Sequence, residues 1–222
     1  MSALAHRACP VVLAAPSGTG KTTIARALVE SFEEFVFSVS ATTRPARAEE
    51  VDGVDYQFVS ESDFQAMVDA DEFVEYATVH GHRYGTTRDA VQSASDAGQN
   101  LILDVDVQGA LQIRDRVPGA VLVFVFPPTA DMLSERLRGR ATESDELVKC
   151  RLKNAQGEVE KAEAFDYIVV NEQVEGAVHE VRSILIAEGL RTAQAIDLST
   201  VIRQLQRRID EILARDFDSG GE

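Results

Sequence analysis

The segment 15–22 constrains the fold of this chain more than any other part of its sequence. It reads A-P-S-G-T-G-K-T, which matches a phosphate-binding loop except that alanine replaces the first glycine. Such a loop joins a buried strand to a helix N-terminus, where backbone N–H groups and the helix dipole bind phosphate. The flanking sequence agrees, because residues 11–15 form a short apolar run and residues 21–32 have a helical pattern.

Three side chains at the end of this segment carry specific chemistry. Lys21 directs a positive charge toward the β- and γ-phosphates of a nucleotide, and the Thr22 hydroxyl is placed to bind a bridging Mg²⁺ ion. Thr23 is expected to lie in the helix close to the phosphates. Because kinases, GTPases and ATPases share such loops, the segment predicts a bound nucleotide but not a reaction.

The rest of the chain predicts an α/β fold of the phosphate-loop NTPase type. Strands that alternate with helices indicate a parallel sheet with helices on both faces. Short alternating segments such as 54–59 and 73–79 interrupt this pattern and predict an inserted subdomain of mixed α/β, partly antiparallel structure. Apolar runs followed by helical patterns occur at 101–105, 121–126 and 167–170.

A length of 222 residues favours a single unit over two independent domains. The polar segment 136–151 contains four arginines, which is typical of a mobile lid over a phosphate site. Residues 191–215 predict an amphipathic C-terminal helix, used either for packing or for a dimer contact, and 216–222 are expected to be disordered. The expected organisation is a core of 9–37 and 98–190, a substrate-binding subdomain of 38–97, a lid of 136–151, and a C-terminal helix and tail of 191–222.

Composition excludes several classes of protein. The net charge of −15 repels nucleic acid over most of the surface. No apolar run approaches the roughly 18 residues of a membrane-spanning helix. Cys9 and Cys150 lie far apart, without the spacing of a disulfide scaffold or a zinc site. These features predict a cytoplasmic protein that binds neither nucleic acid nor membrane, whether as a monomer or as a homo-oligomer.

A second phosphate site is indicated after the first helix. The segment 38–47 reads S-V-S-A-T-T-R-P-A-R, which places Arg44 and Arg47 three positions apart. Two guanidinium groups suit the dianion of a phosphate monoester. Tyr56 and Tyr84 offer two phenols that can reach the same phosphate. The chain therefore carries candidate sites for two phosphorylated ligands.

In their order along the chain these motifs resemble those of the guanylate kinase family. The phosphate loop is followed by S-A-T-T-R-P-A-R, D-Y-Q-F, F-V-E, Y-G-T and L-D-V-D-V-Q-G, and the resemblance extends from about residue 11 to residue 190. The resemblance implies transfer of a phosphoryl group from Mg-ATP to GMP or dGMP in purine nucleotide metabolism. ATP and GMP are then the partners, and Mg²⁺ is the cofactor.

The resemblance also implies roles for individual residues. Asp104 is implied to orient Mg²⁺ through water, together with direct binding by Thr22. The GMP phosphate is implied to be held by Arg44, Arg47, Tyr56 and Tyr84, and the guanine to be read by Ser40, Glu75, Thr86 and Asp106. ATP-binding residues are implied to be Ala15, Pro16, Ser17, Gly18, Thr19, Gly20, Lys21, Thr22, Thr23, Arg136, Arg140 and Asn171. The implied catalytic residues are Lys21, Arg44, Arg140 and Arg151.

The chemistry of guanine supports this assignment. Guanine presents the N1–H and the N2 amino group side by side, so that ionised Glu75 and Asp106 can accept hydrogen bonds from both. Adenine has a bare N1, and a site whose buried polar groups it leaves unpaired can reject it by roughly 10⁴- to 10⁵-fold. The lid departs from the family pattern, because R-A-T-E occupies 140–143 where R-G-T-[DE] is usual.

Two other functions remain open alternatives. A non-catalytic guanylate-kinase-like scaffold module would bind a peptide in place of GMP, but such modules typically lose the loop lysine or the lid arginines. A phosphosugar kinase of related fold would have no need for Glu75 and Asp106. A switch GTPase is excluded more simply, because the sequence has no N-K-x-D motif.

Overall fold

The computed structural model describes residues 7–79, 81–139 and 145–216. Its core is a five-stranded sheet in which all paired strands are parallel, as the sequence predicts. Numbered in chain order and placed from one edge to the other, the strands are β2 (Phe35–Phe37), β7 (Asn100–Asp104), β1 (Val11–Ala14), β8 (Val121–Phe126) and β9 (Tyr167–Val170).

Helices cover both faces of this sheet. Successive β1 residues point to opposite faces, so Val11 and Leu13 pack in one hydrophobic cluster with α1 and α7, while Val12 packs in a second cluster with α3 and α4. Burial on both faces explains why β1 is apolar at every position. The helices around the core are α1 (Lys21–Ser31), α3 (Arg88–Asp96), α4 (Val107–Arg116), α5 (Ala130–Arg138), α6 (Asp145–Val159) and α7 (Val174–Gly189).

A second, smaller sheet of mixed direction lies between β2 and α3 in the chain. In spatial order it consists of β4 (Gln57–Phe58), β3 (Ala41–Thr42), β6 (His82–Thr87) and β5 (Phe73–Val79). β3 and β4 are parallel, whereas β6 is antiparallel to both β3 and β5. Helix α2 (Glu61–Asp69) covers this sheet, with the ring of Phe64 stacked on that of Phe73 at a centroid distance of 4.6 Å.

Several boundaries differ from those expected from the sequence. The strand expected at 54–59 is only Gln57–Phe58, because Gly53 has a φ of 76° and its N–H donates to the Tyr56 carbonyl at 2.9 Å, which forms a turn. The C-terminal helix α8 is Leu198–Asp216, so it starts later than residue 191 and still includes Asp216. Residues 217–222 lie outside the described part of the chain.

The segment expected to form a lid is only partly described. Residues 136–138 end α5 and residues 145–151 begin α6, while Arg140 and its neighbours 141–144 lie outside the described residues. Within 7–79, 81–139 and 145–216, no helix combines the length and apolar character needed to cross a membrane.

Candidate active site

The phosphate loop lies at the C-terminal edge of the parallel sheet, between β1 and α1. The neighbouring strand β7 is in register with β1 and ends at Asp104. Lys21 forms an ion pair with the Asp104 carboxylate, and its Nζ donates to the Val105 carbonyl at 2.5 Å. Thr22 Oγ1 donates to Asp104 Oδ2 at 2.6 Å. The structure therefore brings together three residues that the sequence predicts for phosphate and metal binding.

The loop conformation depends on glycine and on contacts from distant parts of the chain. Gly20 has a φ of 92°, and a Cβ atom there would lie 2.7 Å from Asn171 Nδ2. The Thr19 carbonyl accepts hydrogen bonds from Asn171 Nδ2 at 2.7 Å and from Arg136 Nη1 at 3.1 Å. Ala15 is 95% buried, so the alanine that replaces the first glycine packs into the core. Asn171 and Arg136 thus hold the loop itself.

The donor set at the loop fits a hard divalent cation. A hydroxyl and a carboxylate, from Thr22 and Asp104, are the oxygen ligands that Mg²⁺ prefers. Among the residues that the structure describes, no three His, Cys, Asp or Glu side chains form a cluster that could hold a metal ion. A magnesium ion here would therefore take its remaining ligands from nucleotide phosphates and water.

An arginine and two tyrosines meet beside the small sheet. The Arg44 guanidinium lies 5.3 Å from the Tyr56 ring centroid, and the Tyr56 ring makes an edge contact with Tyr84 at 5.9 Å. Arg44 Nη2 forms an ion pair with Glu50 Oε1 at 2.8 Å, and Glu50 Oε2 accepts from the Arg47 backbone N–H at 2.8 Å. Only 13% of the Arg44 side chain and 15% of the Glu50 side chain are exposed.

The same contacts shift the pKa values of Arg44, Glu50 and Tyr56. The hydrogen bond from Arg44 lowers the pKa of Glu50, and it raises the pKa of Arg44 in turn. Burial raises the pKa of Tyr56, and the negative charge of Asp104 adds to the shift. Arg44 therefore stays cationic and Tyr56 stays neutral at physiological pH.

A buried carboxylate lies nearby, where β5 meets β6 and α4. Glu75 is 3% exposed, and its Oε1 accepts from Thr86 Oγ1 at 2.7 Å. Burial, opposed by the Thr86 hydrogen bond and assisted by the charge of Asp106, raises the pKa of Glu75 to about 7. Asp106 caps α4, because its Oδ1 accepts from the Gly109 N–H at 2.7 Å.

Gly109 is required for the close approach of this carboxylate. A Cβ atom at position 109 would lie 2.7 Å from Glu75 Oε2 and 3.3 Å from Asp106 Oδ1. The absence of a side chain therefore allows both carboxylates to converge at the start of α4. The structure joins Glu75, Thr86 and Asp106 as the sequence predicts, although they come from three separate elements.

The remaining predicted residues are placed less closely. Ser40 is half-buried just before β3, and its carbonyl accepts from the Gln57 N–H at 2.9 Å. Arg47 meets the Arg44 group through its backbone, and its side chain is exposed. Arg151 is half-buried on α6, and Arg140 lies outside the described residues.

The sequence analysis missed two acidic residues at this site. Glu50 follows Glu49 in an acidic pair, and no local pattern distinguishes the residue that pairs with Arg44. Glu158 is half-buried on α6, and its pKa is raised by burial and by the charge of Asp106. Such residues are recognised only when distant parts of the chain have been brought together.

A parallel sheet with a phosphate loop at its C-terminal edge defines the class of phosphate-loop proteins that bind nucleotides. A model of the guanylate kinase family matches residues 7–188. The chain belongs to the guanylate kinase family.

Similar proteins of the same family come from several bacteria. The chain is 46% identical over 186 residues to the guanylate kinase of Geobacter sulfurreducens, and the aligned region covers 84% of this chain and 92% of that protein. It is 44% identical over 206 residues to the guanylate kinase of Nitrobacter hamburgensis, with 92% and 94% of the two chains covered. A crystal structure of guanylate kinase from Anaplasma phagocytophilum is 31% identical, covers 96% of this chain and 97% of that one, and superposes with a TM-score of 0.72.

Proposed function

We propose that this protein transfers the γ-phosphoryl group of ATP to GMP, giving ADP and GDP. The observation that carries this proposal is the convergence of two carboxylates, from buried Glu75 and half-buried Asp106, at the start of α4, together with the cluster of Arg44 and two tyrosines beside the same small sheet. A purine with two adjacent N–H donors and a phosphate at its far side matches this arrangement of acceptors and cations.

We infer that the triphosphate of ATP binds in the loop 15–22. Lys21 would exchange its contacts with Asp104 and the Val105 carbonyl for the β- and γ-phosphates. Asn171 and Arg136 support the loop through the Thr19 carbonyl, which keeps the neighbouring N–H groups directed toward the anion. Thr19 Oγ1 and Asn171 Oδ1 are buried and have no hydrogen-bond partner within the described ranges, so polar capacity remains beside the loop.

Thr22 and Asp104 would hold Mg²⁺ at the phosphates, with Asp104 acting through water. When bound, this ion neutralises charge that develops on the transferring phosphoryl group. Thr22 Oγ1 already lies 2.6 Å from Asp104 Oδ2, which keeps the two oxygen ligands together. Ala15, Pro16, Ser17, Gly18, Gly20 and Thr23 complete the proposed ATP site.

The phosphate of GMP would be held beside the small sheet. Arg44, Arg47, Tyr56 and Tyr84 supply two cations and two phenol donors. Glu50 fixes the Arg44 guanidinium and the Arg47 backbone by its two carboxylate oxygens. Because phosphoryl transfer depends mainly on alignment and charge neutralisation, this positioning is a direct contribution to catalysis.

Guanine would be recognised by Glu75 and Asp106 as acceptors and by Thr86 and Ser40 as further polar contacts. Adenine would leave the buried Glu75 carboxylate facing an unprotonated N1, and buried unpaired polar groups disfavour binding. We therefore expect AMP to be a poor acceptor. None of the proposed contacts involves the ribose 2′-hydroxyl, so we expect dGMP to be accepted as well.

The segment between α5 and α6 would close over the two substrates. Arg136 lies in the last turn of α5 and Arg151 lies on α6, so the two helices that flank residues 140–144 each carry an arginine. Arg140 and Arg151 would then stabilise charge on the transferring group, and closure would exclude water that otherwise hydrolyses ATP. The free cysteines Cys9 and Cys150 fit a reducing cytoplasm, where we place this activity.

The first test is an assay of ADP formation from Mg-ATP with GMP, AMP, CMP and UMP as separate acceptors. We expect turnover with GMP, a far lower rate with AMP, and a loss of roughly 100- to 1,000-fold or more in Lys21→Ala. Lys153→Ala, which removes an exposed lysine of α6, is the matched control. Folded protein without turnover on any acceptor would refute the kinase and favour the non-catalytic binding module.

A further inference from the structure

Among the α-helices that the structure describes, α8 differs from the others because none of its 19 residues is buried. Its apolar side chains are nonetheless large. Ile202 and Leu205 are each 46% exposed, and Ile209 is 47% exposed. The described chain thus leaves an apolar stripe on this helix open, although an amphipathic helix gains its stability by covering such a stripe.

The stripe has the spacing of a coiled coil. Its members are Leu198, Ile202, Leu205, Ile209 and Ile212, so the steps alternate between four and three residues. Ile202 and Ile209 occupy the a positions of a heptad, and Leu198, Leu205 and Ile212 occupy the d positions. β-branched residues at a with mainly leucine at d favour two parallel strands.

The start of α8 is fixed to the body, although the helix itself has no buried residue. The segment before it is attached, because the Gln194 carbonyl accepts from the Arg7 N–H at 2.8 Å. Asp197 then adopts a φ of 54° and its carbonyl accepts from the N–H groups of Thr200 and Val201. A helix of 19 residues extends roughly 28 Å from that point, which is between two and three heptads.

We propose that α8 pairs with α8 of a second copy of this chain as a parallel two-stranded coiled coil. A seam of this kind is self-complementary, because equivalent residues of the two chains form each layer. Five layers, from Leu198 to Ile212, would bury the open stripe of both copies. The occupant is therefore another copy of the same helix.

Charge supports the same partner. The whole chain has a net charge of −15, so most pairs of surfaces on two copies repel one another. Helix α8 carries no excess of negative charge, because four arginines offset its three acidic residues, so two such helices meet without the repulsion expected of the chain as a whole. An antiparallel arrangement that pairs a with d would bring the two Arg208 side chains, both at g, opposite each other at its centre, which disfavours that orientation.

The test of the pairing is the mass of the full chain in solution. Sedimentation equilibrium over a wide concentration range is expected to give twice the 24.2 kDa of one chain and a return to one chain on dilution. Ile202→Arg with Ile209→Arg is expected to halve that mass. Gln204→Arg with Ala214→Arg adds the same charge on the outward face of α8 and is expected to leave the mass doubled.

Two results would overturn the pairing. One is a wild-type chain that stays at the mass of one copy, and the other is a doubled mass that survives Ile202→Arg with Ile209→Arg. Far-ultraviolet circular dichroism and thermal unfolding check that both double variants keep the fold of the body. GMP-dependent turnover is not needed for this test, so failure of the proposed activity and failure of the coiled coil are distinguishable.

Orientation is tested by a disulfide. In a Cys150→Ser background, which removes the exposed thiol, Leu205→Cys is expected to cross-link two identical chains, because equivalent d positions face each other in a parallel pair. Cross-linking that occurs only between a Leu205→Cys chain and an Ile209→Cys chain would show an antiparallel pair and overturn the parallel arrangement.

Discussion

The two halves of the proposed site, the phosphate loop and the acceptor side, are supported by sheets and buried cores of different size. The phosphate loop is supported by a five-stranded sheet whose faces are covered by two large hydrophobic clusters. The acceptor side is supported by a small mixed sheet, with a buried cluster of only Ala41, Phe64 and Phe73. The loop half thus lies on the larger buried core of the described chain, and the acceptor half on a much smaller one.

Their charges are also satisfied in different ways. Lys21 is paired with Asp104 and with the Val105 carbonyl, so the loop cation has partners before any ligand binds. Glu75 is buried with one hydroxyl donor, and its pKa is raised to about 7. The loop cation is thus already paired without ligand, whereas Glu75 lies where its ionisation is unfavourable. If Glu75 reads guanine as proposed, substrate choice is obtained at the expense of stability.

The largest effect is expected for Glu75→Gln on the use of GMP. The amide cannot accept from both N–H donors as the carboxylate does, so we expect kcat/KM for GMP to fall roughly 100- to 1,000-fold. The KM for ATP is expected to change by less than about twofold, because the loop is a separate site. Glu72→Gln, an exposed neighbour, is the control. Equal losses for both substrates would contradict the division into two halves.

The same substitution is expected to change how stability depends on pH. A glutamate whose pKa rises from 4.5 to about 7 on folding contributes stability that is fully present below pH 4.5 and is lost as the pH rises through 7. The free energy of unfolding of Glu75→Gln, relative to wild type, should therefore increase by roughly 2–3 kcal/mol between pH 5 and pH 8. Urea unfolding of both proteins at both pH values measures this change. An equal difference in unfolding free energy at pH 5 and at pH 8 would show that folding does not shift the pKa of Glu75.

A smaller effect is expected for Glu50→Gln, which weakens the support of Arg44 without removing the arginine. The loss of one charged hydrogen bond should raise the KM for GMP about tenfold. Because Glu50 acts through Arg44, which stays in place, kcat should fall less than KM rises, and the KM for ATP should be unaffected. Glu49→Gln replaces the exposed neighbour of the same pair and should be silent. A similar effect of both substitutions would reduce the role of Glu50 to general surface charge.

The smallest effect is expected on the loop side. Asn171→Ala removes one of the two side-chain hydrogen bonds to the Thr19 carbonyl, while Arg136 keeps the other. We expect the KM for ATP to rise roughly three- to tenfold, as for the loss of one neutral hydrogen bond. Glu172→Ala, an exposed neighbour, is the control. An increase in the KM for GMP instead of the KM for ATP would contradict the assignment of Asn171 to the loop half of the site.

Sequence alone predicted the loop side better than the acceptor side, for a physical reason. The loop, its strand and its helix are contiguous, so local spacing predicts the geometry around Lys21 and Thr22. Glu75, Thr86 and Asp106 were found only because a series of motifs resembled a known family. Their convergence depends on the pairing of β5 with β6 and on the start of α4, which no local pattern encodes.

Other features of the structure that the sequence does not predict have similar causes. The strand β2 has three residues, too few for periodicity to indicate it. The ion pair of Arg44 with Glu50 depends on a loop conformation, and the contact of Arg136 with Thr19 spans 117 positions. α8 begins at Leu198 because Asp197 adopts a left-handed conformation, a choice that hydrophobic spacing does not reveal.

Gly109 has a consequence for how such a protein can diverge. A Cβ atom at this position would meet the Glu75 carboxylate first, so a mutation there changes the proposed guanine contact before it changes the helix. Helix propensity alone favours alanine over glycine within a helix, and Gly109 is the third residue of α4. On the proposed function, better helix formation at position 109 would therefore weaken guanine binding, and the two properties could not be improved independently.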